Sequence, residues 1–371
     1  MTQNKRIAIF ISFSGQGGVE RMINNLAGGF LGSGYGVDMI IARADGDHLA
    51  AIPAGVNQIR LGTKHTLTAL PGLIRYLKRE KPHVLLAVKD RAIRTAVVAR
   101  WLSGVAVLLV GRIGTTVSAA LVDRGPLRRW SWFKGMKLFY GRVDRIIAVS
   151  RGVAEDIIAI TGMPSNRVVI VSNPVVTPRL NVLASEPVPH PWLEDPDMPV
   201  IMGAGRLTSQ KDFGTLLRAF ALVQESRACR LVILGEGKLR AELLSLADAL
   251  GVGDLFLMPG FAANPYKWIA RCSVFVLSSR WEGSPNTLTE ALALGVPVVS
   301  TNCRSGPKET PEDGKYGSLV PVGNVGELAR AIQDTLVNPL PQATLQNAVR
   351  RFTVEESVKG YLLALGMTED L

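Results

Sequence analysis

At 371 residues the chain is too long for one ordinary core and suits two domains of about 170–190 residues each. Its hydrophobic fraction of 47% is ample for packed α/β domains, no apolar run approaches the roughly 20 residues of a membrane-spanning helix, and Cys229, Cys272 and Cys303 are too few and too scattered for a disulfide framework or a zinc site. The net charge of +11 is uneven: residues 1–190 hold 25 Lys and Arg against 11 Asp and Glu, residues 191–371 hold 17 against 20, so the first half is expected to meet an anionic partner.

The first half alternates strand-like and helix-like stretches, as a parallel sheet with crossover helices requires. Strands are expected at Ile7–Ile11, Val37–Ile41, Gln58–Leu61, Val84–Val88, Ala106–Val110, Arg145–Val149 and Val168–Val171, with helices at Gly18–Leu31, Leu67–Lys78, Arg91–Leu102 and Gly152–Ile160. The N-terminal residues lead directly into the first strand and lack a signal-peptide pattern, and the isolated cysteines read as thiols of a reducing cytoplasm. Ser14 to Glu20 sits where a dinucleotide fingerprint would sit, but Glu20 occupies the place of the third glycine, and a carboxylate there opposes a pyrophosphate. Gly17 and Gly18 also suit a plain tight turn. Asp45, Asp47 and His48 lack metal-ligand spacing and read as surface residues.

Between Arg124 and Arg142 aromatic residues (Trp130, Trp132, Phe133, Phe139, Tyr140) alternate with cations. The pattern fits an anionic bilayer interface, and equally a core helix with a solvated basic face. Basic residues cluster from Arg75 to Arg145 without a nucleic-acid-binding signature, which keeps a nucleic-acid-binding protein only as the non-enzymatic alternative. Seven prolines between Asn173 and Pro199 read as a domain linker.

The second half resumes the alternation. Pro199–Met202 is a strand, followed by Gly203-Ala204-Gly205-Arg206-Leu207-Thr208-Ser209-Gln210-Lys211-Asp212 and a helix from Thr215 to Gln224. Cys229–Leu234 is a strand ending in Gly235-Glu236-Gly237, Leu239–Leu250 a helix, Leu255–Met258 a strand ending in Pro259-Gly260-Phe261, and Val274–Ser278 a further strand. Then comes Trp281-Glu282-Gly283-Ser284-Pro285-Asn286-Thr287-Leu288-Thr289-Glu290, two glutamates bracketing a turn that opens a helix. Ser284 and Pro285 suit its N-cap and first position, which would put free backbone N–H groups beside Glu282, a setting that binds phosphate. Thr287-x-x-Glu290 also reads as a capping box, and both readings stand at this point. Val296–Ser300 is a buried strand, and Val354–Leu365 a C-terminal helix.

Four motifs together resemble the large retaining glycosyltransferase family 4, also called group 1: the glutamates Glu282 and Glu290 with seven residues between them, Gly205-Arg206-Leu207 with Lys211-Asp212, Gly17-Gly18-Val19-Glu20-Arg21, and Ser172-Asn173-Pro174. The resemblance implies an α/β fold of two Rossmann-like domains facing across a cleft, the GT-B architecture. Residues 1–180 would bind the acceptor, 181–198 form the linker and 199–352 bind the nucleotide sugar, and residues 353–371 would pack back on the first domain.

It also implies transfer of a hexosyl or N-acetylhexosaminyl group, with retention, from a nucleotide diphosphate sugar, expected to be UDP-linked. Arg206 and Lys211 would stabilise the leaving diphosphate and Glu282 contact the sugar ring, these three forming the catalytic set. Glu290 would hold the ribose hydroxyls, while Gly283, Ser284, Pro285, Asn286 and Thr287 would present the helix start to sugar and phosphate. Gly235, Gly260 and Phe261 would border the nucleotide, and Gly17 and Gly18 face the donor phosphates. Many relatives carry a histidine where this chain reads Val110-Gly111-Arg112. Arg112 is expected either to take over a phosphate contact or to pair with an acid.

No metal or other cofactor is expected. The expected acceptor is a saccharide, lipid-linked, in cell-surface polysaccharide or lipopolysaccharide synthesis. The protein would then sit peripherally on the cytoplasmic face of the membrane, held to its anionic surface. A sucrose- or trehalose-type enzyme with a soluble acceptor is the alternative, and a nucleotide-sugar epimerase of the same architecture comes third.

Overall fold

The computed structural model describes residues 5–14, 18–45, 49–188 and 190–367. The chain divides into two compact units, residues 1–175 with 353–371, and residues 176–352. The first holds 25 Lys and Arg against 14 Asp and Glu and the second 17 against 17, so the whole excess of positive charge belongs to the first.

In the first unit seven parallel strands run in the order β3-β2-β1-β4-β5-β6-β7: β1 (Arg6–Ser14), β2 (Gly36–Asp45), β3 (Asn57–Arg60), β4 (Val84–Val88), β5 (Leu108–Ile113), β6 (Arg145–Ala148) and β7 (Val168–Ile170). The central strands are near-continuous apolar runs because helices cover both faces; every residue of β4 is buried. On one face lie α2 (Leu70–Glu80), α3 (Asp90–Ser103), α4 (Val117–Ala120), α5 (Pro126–Tyr140) and α6 (Arg151–Thr161), whose apolar residues form one cluster with Phe10, Leu85 and Leu109. On the other lie α1 (Gly18–Gly32) and the C-terminal helix α14 (Val354–Ala364), around Ile9, Leu86 and Val110. The two helices cross closely: a Cβ on Gly29 would come within 2.3 Å of Val358 Cγ2, and Phe30 meets Tyr361 edge-on at 6.4 Å.

The second unit has six parallel strands in the order β10-β9-β8-β11-β12-β13: β8 (Val200–Ala204), β9 (Arg230–Leu234), β10 (Phe256–Gly260), β11 (Val274–Leu277), β12 (Val298–Thr301) and β13 (Ser318–Val320). Helices α8 (Phe213–Gln224), α9 (Arg240–Ala249) and α12 (Val325–Val337) cover one face. The other is covered by α7 (Arg179–Ala184), α10 (Tyr266–Ile269), α11 (Asn286–Ala293) and α13 (Gln342–Asn347). Each unit thus has a topological switch point, between β1 and β4 and between β8 and β11, where open α/β sheets receive ligands at the strand C-termini.

Two expectations need correction here. Residues 181–198 are not a linker: α7 buries Leu180 and Ala184, Trp192 and Leu193 lean on the second core, and Arg271 donates to the carbonyls of Ala184 and Glu186. Prolines block ladders and helices, yet they leave neighbouring apolar side chains free to pack. The chain passes between units at Val175–Val176 and Phe352–Thr353 instead. Of the proposed bilayer anchors, Trp130 is exposed, but Trp132 and Phe133 pack against the first core, with the Arg94 guanidinium over the Trp132 ring.

Candidate active site

The second unit assembles most of the expected residues on one edge of its sheet, in the loops that follow the C-terminal ends of adjacent strands. After β8 the backbone runs through Gly205, at φ +154, to Lys211 and Asp212. Asp212 adopts a left-handed conformation (φ 47, ψ 46) just before α8, and its carboxylate accepts from Thr215 Oγ1 at 2.9 Å and Arg280 Nε at 3.1 Å. The Lys211 ammonium donates to Glu282 Oε1 at 2.6 Å, with the side chains 15% and 9% exposed. Ser279 Oγ donates to the same oxygen at 2.7 Å. The two loops are stitched by further bonds: Arg280 N to Gln210 O, Ser278 Oγ to Lys211 O, and Gln210 Nε2 to Trp281 O. Lys211 and Glu282, 71 residues apart, therefore form one rigid charged couple.

Glycine is required where the first and second loops pack. Gly235, after β9, has φ +136, and a Cβ there would lie 1.9 Å from the Gly205 carbonyl oxygen. Gly260 closes β10 at φ +93, and Phe261 beyond it is exposed. Arg206 is exposed, while Leu207 N donates to Glu236 O at 2.9 Å.

Helix α11 begins at Asn286, one residue later than the sequence suggested, with Pro285 as its N-cap and no side-chain cap. Proline lacks a side-chain acceptor, and Ser284, which precedes it, lies outside the helix. Thr287 is then the second helical residue, which rules out the Thr287–Glu290 capping box; its hydroxyl is buried with no hydrogen-bond partner among the described residues. Glu290, 1% exposed, lies one turn into the helix. The loop after β12, absent from the sequence reading, buttresses Gly283: Ser305 Oγ donates to its carbonyl at 3.2 Å, and a Cβ on Gly306 would sit 2.6 Å from that oxygen. Thr301 Oγ1 likewise donates to Ser279 O at 2.6 Å. A signal existed in the turn-forming Ser305-Gly306-Pro307 after a strand, but its partner was distant in sequence.

Cys303, beside this couple, is buried, and burial with the nearby Glu282 charge pushes its thiol up to about 12.

The remaining expected residues belong to the first unit. Gly17 lies outside the described residues, and Gly18 is the exposed first residue of α1. Arg112 differs from expectation. β5 continues three residues past Val110, so Arg112 is a strand residue sharing Val110's face, under α14. It is 2% exposed and pairs with no acid among the described residues: Nη2 donates to Asn173 Oδ1 at 2.7 Å, and the cation faces Tyr361, whose phenol burial pushes up and Arg112 pulls back. The expected pairing to an acid does not fit that position.

Such an edge can hold an anion between Arg206, Lys211 and the start of α11, and hydroxyls against Glu282 and Glu290. The family described as "Glycosyl transferases group 1" matches residues 186–352, and "Glycosyl transferase 4-like domain" matches residues 17–174. The chain is 33% identical over 201 residues, 54% of its length and 53% of the relative's, to the N-acetylgalactosamine-N,N'-diacetylbacillosaminyl-diphospho-undecaprenol 4-alpha-N-acetylgalactosaminyltransferase of Campylobacter jejuni. It is 28% identical over 302 residues, 80% of its length and 79% of the relative's, to the lipopolysaccharide core biosynthesis glycosyltransferase LpsE of Rhizobium meliloti.

The chain spans about half the length of some curated relatives it matches, 49% and 53% for two of them. Among solved structures, Anabaena Alr3699/HepE in complex with UDP and glucose superposes with a TM-score of 0.77 over 98% of this chain and 99% of that one, at 16% identity, a likeness of fold. With matched segments together spanning residues 17–352, this chain belongs to the group 1 glycosyltransferase family and has its GT-B fold, two Rossmann-like units.

Proposed function

We propose that this protein is a retaining glycosyltransferase of cell-surface polysaccharide or lipopolysaccharide synthesis, moving a hexosyl or N-acetylhexosaminyl group from a UDP-sugar to a lipid-linked saccharide. The observation that carries the reading is the buried Lys211–Glu282 couple beside the start of α11, at the switch point of the second sheet. The bond from the anomeric carbon to the diphosphate breaks as the acceptor hydroxyl forms the new bond, negative charge grows on the departing diphosphate, and the hydroxyl proton passes to the diphosphate oxygen that leaves. Arg206, Lys211 and the α11 N–H groups meet that charge, and in this reading they do so without a metal. Glu282 accepts from hydroxyls of the transferred sugar and Glu290 from those of the ribose. The relatives named above act in lipid-linked and lipopolysaccharide glycan assembly, which supports the acceptor class.

Calorimetric titration of UDP, GDP and ADP, followed by hydrolysis of the matching nucleotide sugars, tests the donor. UDP is expected to bind and a UDP-sugar to turn over; failure of all three nucleotides would end the reading.

Helix α5 supports a peripheral position on an anionic membrane. Leu127, Trp130 and Leu138 are exposed along it among Arg128, Lys134 and Lys137, and no helix among the described residues is long and apolar enough to cross a bilayer. Each cation near such a surface contributes about 1 kcal/mol. Co-sedimentation with anionic vesicles at low salt, weakened by Arg128→Glu with Trp130→Ala, is expected; indifference to vesicle charge and salt would favour a soluble acceptor.

A further inference from the structure

The first unit carries a counterpart of the Lys211–Glu282 couple at its own switch point. Glu20 opens α1 after β1, and Lys89 follows the last residue of β4 and precedes α3. Lys89 Nζ donates to Glu20 Oε1 at 3.0 Å; the lysine side chain is 42% exposed and the carboxylate 4%. The arrangement is that of the second unit with the partners exchanged: there the lysine follows the first strand of the switch and the glutamate the second, here the reverse.

The backbone of Lys89 is a second, independent observation. It holds φ 77 and ψ 153, a conformation that glycine adopts at little cost and other residues only when their surroundings impose it. Those surroundings are visible: Lys89 N donates to Arg112 O, and Lys89 O accepts from Ile93 N, both at 3.1 Å. A glycine would make this turn without strain. A lysine there brings an ammonium to a nearly buried carboxylate at the one place on the sheet where ligands gather. Strain of this kind concentrates at functional sites.

We propose that Glu20 and Lys89 recognise the acceptor saccharide. An ammonium donates and a carboxylate accepts, so the couple can engage two neighbouring hydroxyls of a sugar, exchanging the internal hydrogen bond for two with the ligand. In the function proposed above, the nucleotide belongs to the second unit. The assignment rests on the reading of this chain as a glycosyltransferase.

The test uses the full chain saturated with UDP, with methyl glycosides of glucose, galactose, N-acetylglucosamine and N-acetylgalactosamine as probes in ligand-observed NMR titrations. At least one glycoside is expected to bind. Glu20→Gln combined with Lys89→Gln removes both charges and leaves no orphaned ion; it should weaken that glycoside about tenfold or more, the loss of one to two charge-assisted hydrogen bonds, with UDP affinity changed less than about twofold. Lys89→Gly, which suits the backbone conformation, should lose glycoside binding alike while remaining folded. Unchanged glycoside affinity in both variants, or no glycoside bound by the UDP-saturated wild type, would overturn the assignment. Equal loss of UDP and glycoside would also overturn it, by moving the couple to the donor. Failure of the wild type to bind UDP at all would instead overturn the glycosyltransferase reading itself.

Discussion

Replacing Glu282 by glutamine should make the protein bind UDP more tightly and turn over more slowly. The Lys211 ammonium lies 2.6 Å from Glu282 Oε1 and both groups are largely out of water. A diphosphate arriving at this edge must draw Lys211 away from that carboxylate. A net charge-assisted hydrogen bond of this kind is worth about 1.5–3 kcal/mol. The amide keeps the shape and can still accept from Ser279, but it holds the cation more weakly and no longer repels a phosphate. UDP affinity is therefore expected to rise by about 10- to 100-fold at most. Turnover should fall by on the order of 10²-fold, because the sugar loses its carboxylate contact in the transition state. The melting temperature should drop modestly, since Lys211 is left with a neutral partner. Calorimetric UDP titration, thermal unfolding and steady-state hydrolysis of a UDP-sugar read the three quantities. Unchanged or weakened UDP affinity with the fold intact would refute the idea that Lys211 exchanges Glu282 for a phosphate. Lys211→Ala, which should weaken UDP instead, completes a double-mutant cycle whose coupling energy measures the pair.

Glu290→Gln, which keeps the shape and the hydrogen-bonding ability of the side chain, should change the melting temperature little yet weaken UDP by about tenfold, which isothermal titration would read. UDP affinity equal to wild type would remove Glu290 from the nucleotide site. Gly235→Ala should lower stability by on the order of 3 kcal/mol, about 6–12 °C in melting temperature, since the added Cβ meets backbone that cannot yield. Gly251→Ala, also at positive φ (+69) but facing open space, should cost about 1 kcal/mol and serves as the control.

All three thiols are buried and pushed up by that burial, Cys229 to about 11 and Cys303 to about 12, so the native protein should be inert to a thiol reagent at pH 8 and react fully when unfolded. Their raised values mean that the folded state holds these protons more tightly. This stabilisation is complete below the ordinary thiol value of 9.0 and is lost as pH rises toward 11–12, so the melting temperature should fall across that window.

The amino-acid sequence by itself determined the two alternating α/β halves, the central strands and most of the residues gathered at the edge of the second sheet. These depend on local regularities: apolar runs for strands covered on both faces, and glycines, cations and carboxylates clustered at strand ends. Val84–Val88 could hardly be anything but a buried parallel strand. What lies far apart in the chain was decided only by tertiary structure.

The Lys211–Glu282 bond joins residues 71 positions apart and the Lys89–Glu20 bond residues 69 apart, and nothing local announces which cation will meet which carboxylate. Arg112 was misread because the length of β5 is set by its pairing with β4 and β6, as far as Val88↔Arg112 and Ile113↔Ala148, and strand length decides whether a side chain ends on the edge or under a helix. The segment 181–198 reads as a linker from its prolines, but the contacts of Leu180, Ala184 and Trp192 with the second core outweigh what proline forbids. Helix and strand propensities act over a few residues, whereas partner choice and burial are settled by the sheet order that brings those residues together.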